Sequence, residues 1–296
     1  MSPVSVDSAA VAAFLGCPID GPVNRVVTVT SIDEPVHGAL SFYTGNDSSR
    51  LSGWSDHSGT ILCDPSVSVP ISCSRISSLR PRLDFALALR EFMVEKMVPK
   101  VSDSARVDSS ATVGAGATIG EYVVIERDCV IGERVTIGHH TTLLRGTVIG
   151  NDVVIGSSTV IGTTGFGLEQ DDDGAWVRIP HFGHVEVGDG VEIGSSCVIA
   201  RGTIGTTRIA SGCRIDDQVF IAHNVQMDEN CVVIANAEVS GSVRVGRGSW
   251  IGPHSTIIEQ VRIGSNSLVG LGAVVIRDVP DDVVVAGNPA KVIRGR

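Results

Sequence analysis

Residues 209–275 read IASGCR IDDQVF IAHNVQ MDENCV VIANAE VSGSVR VGRGSW IGPHST IIEQVR IGSNSL VGLGAV V, and every block of six opens on an aliphatic residue. The series runs Ile209, Ile215, Ile221, Met227, Val233, Val239, Val245, Ile251, Ile257, Ile263, Val269 and Val275. A period of six fits neither an α-helix nor a single strand. It fits a short strand and a tight corner, repeated, which is the mark of a hexapeptide β-helix. Three such units close one triangular coil of about eighteen residues, and adjacent coils satisfy each other's backbone hydrogen bonds.

The same ruler runs earlier in the chain through Val101, Val107, Val113, Ile119, Ile125, Ile131, Ile137, Leu143, Ile149, Ile155 and Ile161. After an interruption it resumes at Val187, Ile193 and Ile199, then slips by four residues to Ile209. Glycine often follows the ruler residue, as at Gly120, Gly132, Gly138 and Gly156, and is expected to supply the permissive backbone of a sharp corner. The fold class is therefore mainly β, a parallel β-helix of hexapeptide repeats over 101–280, with a tail at 281–296. Proteins with this repeat coil left-handed, against the usual crossover rule.

Residues 1–100 do not keep the sixes and read as a small α/β domain. Ser8–Leu15 is a short helix candidate with Ser8 as its cap. Val23–Val29 and Thr60–Cys63 have strand character. Arg82–Met97 is the strongest helix candidate, with Leu83, Leu87, Arg90 and Val94 on one side.

Composition narrows the function. Aromatics make up 4% of the 296 residues although 43% are hydrophobic, so Val, Ile and Ala must build the core. The net charge of −10, with no run of Lys or Arg, argues against a nucleic-acid partner. No stretch is long and apolar enough for a membrane span, and no secretory leader is evident, so a cytoplasmic protein is expected. Of seven cysteines, Cys129, Cys197, Cys213 and Cys231 fall four residues after ruler positions, as small buried side chains would.

The interruption at 163–186 is the first functional signal. It contains Thr164-Gly165-Phe166-Gly167, the acidic turn Asp171-Asp172-Asp173-Gly174, Trp176 and Ile179-Pro180-His181-Phe182-Gly183-His184. A loop of this length thrown out of a regular solenoid is expected to cover a site or meet a neighbour.

These segments, followed by Val191-Glu192-Ile193-Gly194, Arg201-Gly202, Ile215-Asp216-Asp217-Gln218 and Ile221-Ala222-His223-Asn224-Val225, resemble in order and spacing the bacterial UDP-3-O-acylglucosamine N-acyltransferases of lipid A biosynthesis. The N-terminal segments Ala39-Leu40-Ser41-Phe42 and Leu83-Asp84-Phe85-Ala86 resemble the uridine-binding domain of that family. The resemblance implies a homotrimer that acylates the amine of a nucleotide-linked sugar from an acyl carrier, with no permanently bound cofactor. It implies that His223 is the general base, that Asn224 contacts substrate, and that Gly241 offers a backbone N–H to the oxyanion. The chemistry agrees. An amine attacking a thioester must lose a proton, imidazole titrates near neutral pH, and the carbonyl oxygen needs a fixed donor. Gly241 lies eighteen residues after His223 and should stack beside it. Phe42 and Asn46 are the implied nucleotide contacts. Phe166, His181 and Gln260 are further substrate-side candidates, and no metal site is expected.

The departures from the family pattern are specific. Gln260 stands where the family has a second histidine, His181 where it has glutamine, and Ala200 where it has an aspartate before Arg201-Gly202. No aromatic follows Phe42 within 46–50, and the tail shows no helical extension of the kind associated with acyl carrier protein. The ending Ala286-Gly287-Asn288-Pro289-Ala290-Lys291-Val292-Ile293-Arg294 resembles instead the acetyl-CoA-dependent hexapeptide sugar acetyltransferases, which implies Lys291 and Arg294 near the phosphates of coenzyme A. Both acyl carrier protein and coenzyme A thioesters thus stand as donors, acetyl-CoA being the alternative to a long-chain donor. A zinc carbonic-anhydrase-like trimer would need a histidine pair about five residues apart near His223, which is absent. A non-enzymatic scaffold would leave the Ala-His-Asn box without a purpose.

Overall fold

The computed structural model describes residues 5–95 and 98–296, which divide into two compact units at residues 96/97. In the first, the strands Thr28–Val29, Ala39–Phe42, Gly59–Cys63 and Ser74–Ser77 lie parallel, and Ile19–Asp20 runs antiparallel at the edge beside Ser74–Ser77. Alternation along the strands splits the core. Ala39, Ile61 and Cys63 face Trp54 and Leu51, while Leu40, Leu62 and Ile76 face Val11 and Ala88 of the two helices.

The helix Ser8–Leu15 forms where expected, but Asp7 is its N-cap residue; Ser8 Oγ instead accepts from the Asn24 N–H. The expected strand Val23–Val29 is divided into Arg25–Val26 and Thr28–Val29. The second helix spans Pro81–Ala88, followed by one wider turn at Leu89–Met93, so it stops short of the expected Arg82–Met97. Lys96 and Met97 lie outside the described residues. The expected apolar side is also corrected: Leu83 and Leu87 are exposed, and the face turned inward carries Asp84 and Ala88 with Phe85, Leu89, Phe92 and Met93. Asp84 can face inward because its carboxylate accepts a hydrogen bond from Ser78 Oγ at 2.5 Å.

The second unit is a parallel β-solenoid with three faces, of ten, nine and eight strands. Most strands are two residues long, an outward residue followed by a buried ruler residue, as in Thr136–Ile137 and Trp250–Ile251. From Ile119 to Val275 every ruler residue is at most 3% exposed. Val101, Val107 and Val113 are less covered because they belong to the first coil, which has another coil on one side only. Cys129, Cys197, Cys213 and Cys231 are fully buried, as their spacing indicated. Burying an aliphatic side chain contributes roughly 1.5–3 kcal/mol, and the ladder repeats that contribution at each corner of each coil.

The corners correct the reading of the glycines. The left-handed backbone falls on the third residue after the ruler position, at Tyr122, Asp128, Asp152, Asn224, Asn230, Asn236 and others, where asparagine and aspartate are favoured. The glycine directly after the ruler residue serves close approach instead. A Cβ on Gly132 would lie 2.6 Å from the Gly150 carbonyl carbon of the next coil.

Two irregularities break the spacing. Regular coils place hydrogen-bonded corner residues 18 apart, as for Glu133 and Asn151. Across the long interruption Asn151 and Asp189 are 38 apart, and across the slip Ser195 and Asp217 are 22 apart. Pairing nonetheless stays in phase, with Val148↔Glu186 and then Glu186↔Arg208. The excursion leaves after Val160–Thr163, forms the antiparallel hairpin Leu168–Gln170 and Trp176–Arg178, and returns at His184–Val187. At the C-terminal end Val283–Ala286 adds a parallel strand to the ten-stranded face, and Lys291–Gly295 folds back antiparallel onto it.

Candidate active site

His223 follows the strand Phe220–Ile221 at the corner where the nine-stranded face gives way to the eight-stranded one. Asn224 takes the left-handed position of that corner (φ 63°). Its backbone N–H donates to Thr207 Oγ1 at 2.8 Å, and its Oδ1 accepts from the Thr203 N–H at 3.0 Å. With the amide so oriented, His223 Nδ1 lies 3.2 Å from Asn224 Oδ1 and carries the proton it donates there. In the neutral imidazole this arrangement leaves the lone pair on Nε2, which is the form a general base requires.

Thr203 and Thr207 were not singled out in the sequence. Thr203 lies within the four-residue slip, whose segment 201–205 bonds to the returning excursion through Phe182 N to Thr203 O and Gly183 N to Gly202 O. The slip itself was the signal, since extra residues in a strict repeat must be accommodated by a local departure.

Gly241 stacks on His223 in the next coil. A Cβ on Gly241 would lie 2.6 Å from His223 Cε1 and 2.9 Å from Nε2, so the imidazole occupies the space of a missing side chain. The Gly241 carbonyl accepts from the Gln260 N–H, whereas its own N–H has no partner among the described residues. Imidazole and amide therefore share one ledge.

His181 is 3% exposed and meets His223 edge to face, with ring centroids 5.2 Å apart. Its Nδ1 donates to the Ile179 carbonyl at 2.9 Å, and its buried Nε2 has no partner. Burial holds the His181 pKa below the ordinary 6.5, against the upward pull of the Ile179 carbonyl, and the neighbouring His223 adds to the lowering. Gly165 covers both rings: a Cβ there would come within 2.4 Å of His181 Nε2 and 2.9 Å of His223 Cδ2. Arg178 fixes that cover by donating from Nη2 to the Gly165 carbonyl at 3.1 Å, while its guanidinium lies 5.2 Å from the centre of the exposed Phe166 ring.

The structure thus brings together His223, Asn224, Gly241 and His181, with Phe166 linked through Arg178 and the exposed Gln260 bonded to the Gly241 carbonyl. It does not bring Lys291 and Arg294 to them. Those two sit on the outermost strand of the ten-stranded face, which contributes neither strand flanking His223. Phe42 and Asn46 belong to the first unit, where Phe42 packs at 4.9 Å on Phe85 and Asn46 is exposed. Among the described residues no group of three metal-ligating side chains converges, and no helix is long and apolar enough to cross a membrane.

The comparisons with known proteins agree with this architecture. Residues 128–163 match the family described as bacterial transferase hexapeptide (six repeats). A UDP-N-acetylglucosamine acyltransferase from Campylobacter jejuni shares the fold with a TM-score of 0.60 and 25% identity, over 65% of this chain and 73% of that one. The enzyme of that name from Bacteroides fragilis 9343 gives the same TM-score at 22% identity, a likeness of fold. These likenesses show the hexapeptide solenoid, and the relatives that follow extend the similarity to named acyltransferases. The chain is 35% identical over 130 residues to a UDP-3-O-acylglucosamine N-acyltransferase of Caulobacter sp. (strain K31), over 44% of this chain and 38% of that protein. It is 50% identical over 78 residues to the protein of the same name in Coxiella burnetii (strain RSA 493 / Nine Mile phase I), 26% of this chain and 23% of that one. The matched stretches span well under half the length of these curated relatives.

Proposed function

We propose that the protein is an N-acyltransferase that moves an acyl group from a thioester carrier to the amine of a nucleotide-linked amino sugar. The observation that carries this reading is the His223 imidazole, oriented by Asn224, lying against Gly241, whose N–H has no partner among the described residues. The sugar amine attacks the thioester carbon and Nε2 takes a proton from the nitrogen. The developing oxyanion accepts a hydrogen bond from the Gly241 amide. Collapse breaks the carbon–sulfur bond and expels a thiolate, to which the imidazolium returns the proton. Transfer is direct, without a covalent enzyme intermediate.

The nucleotide falls to Phe42 and Asn46, and the sugar to Asn224, His181, Phe166 and Gln260. The acyl carrier is acyl carrier protein or coenzyme A, with Lys291 and Arg294 for the phosphates of the latter. The assembly is a homotrimer, in which a second copy walls the open ledge. Turnover of the purified protein with UDP-linked amino sugars, against long-chain acyl carrier protein and acetyl-CoA in parallel, tests the reading. His223→Ala should lower turnover by about 10²–10⁴ with an unchanged sedimentation profile. Near-normal turnover in that variant would remove the base.

A further inference from the structure

Arg201 occupies the corner position directly before His223 in the stack, since Ile199 pairs with Ile221 two residues earlier in each coil. It is 3% exposed, yet the only hydrogen bond of its side chain among the described residues runs from Nε to the Gly162 carbonyl, at 2.6 Å. Among the described residues both terminal Nη groups are without a hydrogen-bond partner and no carboxylate is paired with them. A guanidinium does not lose its proton in a protein, so this charge stands largely buried with no directly bonded counter-ion among the described residues.

Its electrostatic neighbours extend the pattern. The half-buried Arg145 is a neighbouring cation, with Glu126 opposing it. Arg145 in turn lines a recess of about 400 Å³ together with Arg106, Arg127, Asp108 and Glu126. Neither carboxylate there neutralises a guanidinium through a direct bond. Asp108 accepts from the N–H and hydroxyl of Ser110, and Glu126 accepts from the Arg145 backbone N–H. Four arginines against two carboxylates leave the corner at +2 on a chain of net charge −10. A charge run of this kind on a solvated surface would be unremarkable. The largely buried Arg201 is not, because burial without a directly bonded counter-ion is unfavourable unless a ligand supplies one.

We propose that the corner built by Arg201, Arg145 and Arg127 is a binding site for a diphosphate diester. Such a group carries two negative charges and a row of acceptor oxygens, which match the excess charge and the forked donors of the guanidinium groups. A single carboxylate would satisfy only one of them. Both nucleotide-linked sugars and coenzyme A carry a diphosphate diester. The assignment concerns binding alone and does not depend on the transfer reaction.

Isothermal titration of the whole protein with inorganic pyrophosphate, UDP-N-acetylglucosamine and coenzyme A tests it, in the wild type and in Arg145→Gln, Arg127→Gln and Arg201→Gln. Wild-type protein should bind pyrophosphate with an affinity that falls as salt is raised. Arg145→Gln should weaken that binding about 10–100-fold. The nucleotide that loses affinity in parallel is the source of the diphosphate. Since Arg201 is buried, its variant is read only where thermal unfolding stays native-like, and Arg145→Gln and Arg127→Gln carry the test otherwise. Absence of saturable pyrophosphate binding, or binding unchanged in Arg145→Gln, would overturn the proposal. So would indifference of both nucleotides to these substitutions. Dissociation of an oligomer by Arg145→Gln in sedimentation velocity would overturn it too, by showing that the arginines pair with a second copy.

Discussion

The coils between Ile215 and Val275 and those crossed by residues 163–209 are made of the same six-residue unit and have different consequences. In the first group the strands that pair with one another lie eighteen residues apart, each ruler residue is buried, and each left-handed corner repeats the last. In the second, an excursion and a four-residue slip leave the core in phase but send backbone outward, where His181, Gly165 and Thr203 converge on the corner holding His223. Regularity holds the solenoid together, and departure from regularity furnishes the site. A solenoid permits this because each coil bonds only to its neighbours, so an outward loop disturbs nothing beyond its own corner.

Substitutions can break or sharpen that contrast. The largest effect on chemistry, after loss of the base itself, is expected from Gly241→Ala. Its Cβ would press on the imidazole and crowd the amide, and turnover should fall about 10²–10³-fold, the range for losing one oxyanion donor. Thermal unfolding should move little, so turnover and Tm measured on one preparation separate the two roles. Leu143→Ala should behave in the opposite way. It empties a fully buried ruler slot inside the coil and should cost about 2–5 kcal/mol by denaturant titration, with turnover per folded molecule retained.

Most of the solenoid could be read from the sequence because a packing rule with one aliphatic residue in six imposes itself on the letters. The pairing of Ile221 with Val239 follows from counting, and so does the meeting of His223 with Gly241. Two things did not follow. The face of the helix Pro81–Ala88 was misjudged because a buried carboxylate satisfied by Ser78 looks polar in sequence, while the exposed Leu83 and Leu87 look apolar. The supports of His223 were hidden because Thr203 and Thr207 reach it through tertiary hydrogen bonds that no period predicts.

A smaller effect is expected from Asn224→Ala, which removes the acceptor that keeps the His223 proton on Nδ1. Turnover should drop about tenfold to a hundredfold, and ¹⁵N chemical shifts of the imidazole should report a mixed tautomer instead of one form. The smallest stability effect should come from His181→Gln. The folded-state pKa of His181 is depressed, so between that value and the ordinary 6.5 the unfolded chain binds more protons. Stability therefore rises with pH through this window and declines as pH falls below about 6.5. Scans of Tm between pH 7 and 5 should show a shallower decline in His181→Gln than in the wild type. Equal slopes would place the proton uptake elsewhere.

The left-handed corners have a practical consequence. Tyr122, His140 and Ser158 hold a backbone geometry that suits them poorly, at φ values of 56°, 60° and 60°. Exchanging any of them for asparagine, which tolerates that geometry, should harden the scaffold without touching the ledge, as consensus engineering of repeats does. A thermostable carrier could thus be obtained first, and its catalytic corner then redesigned with stability to spare.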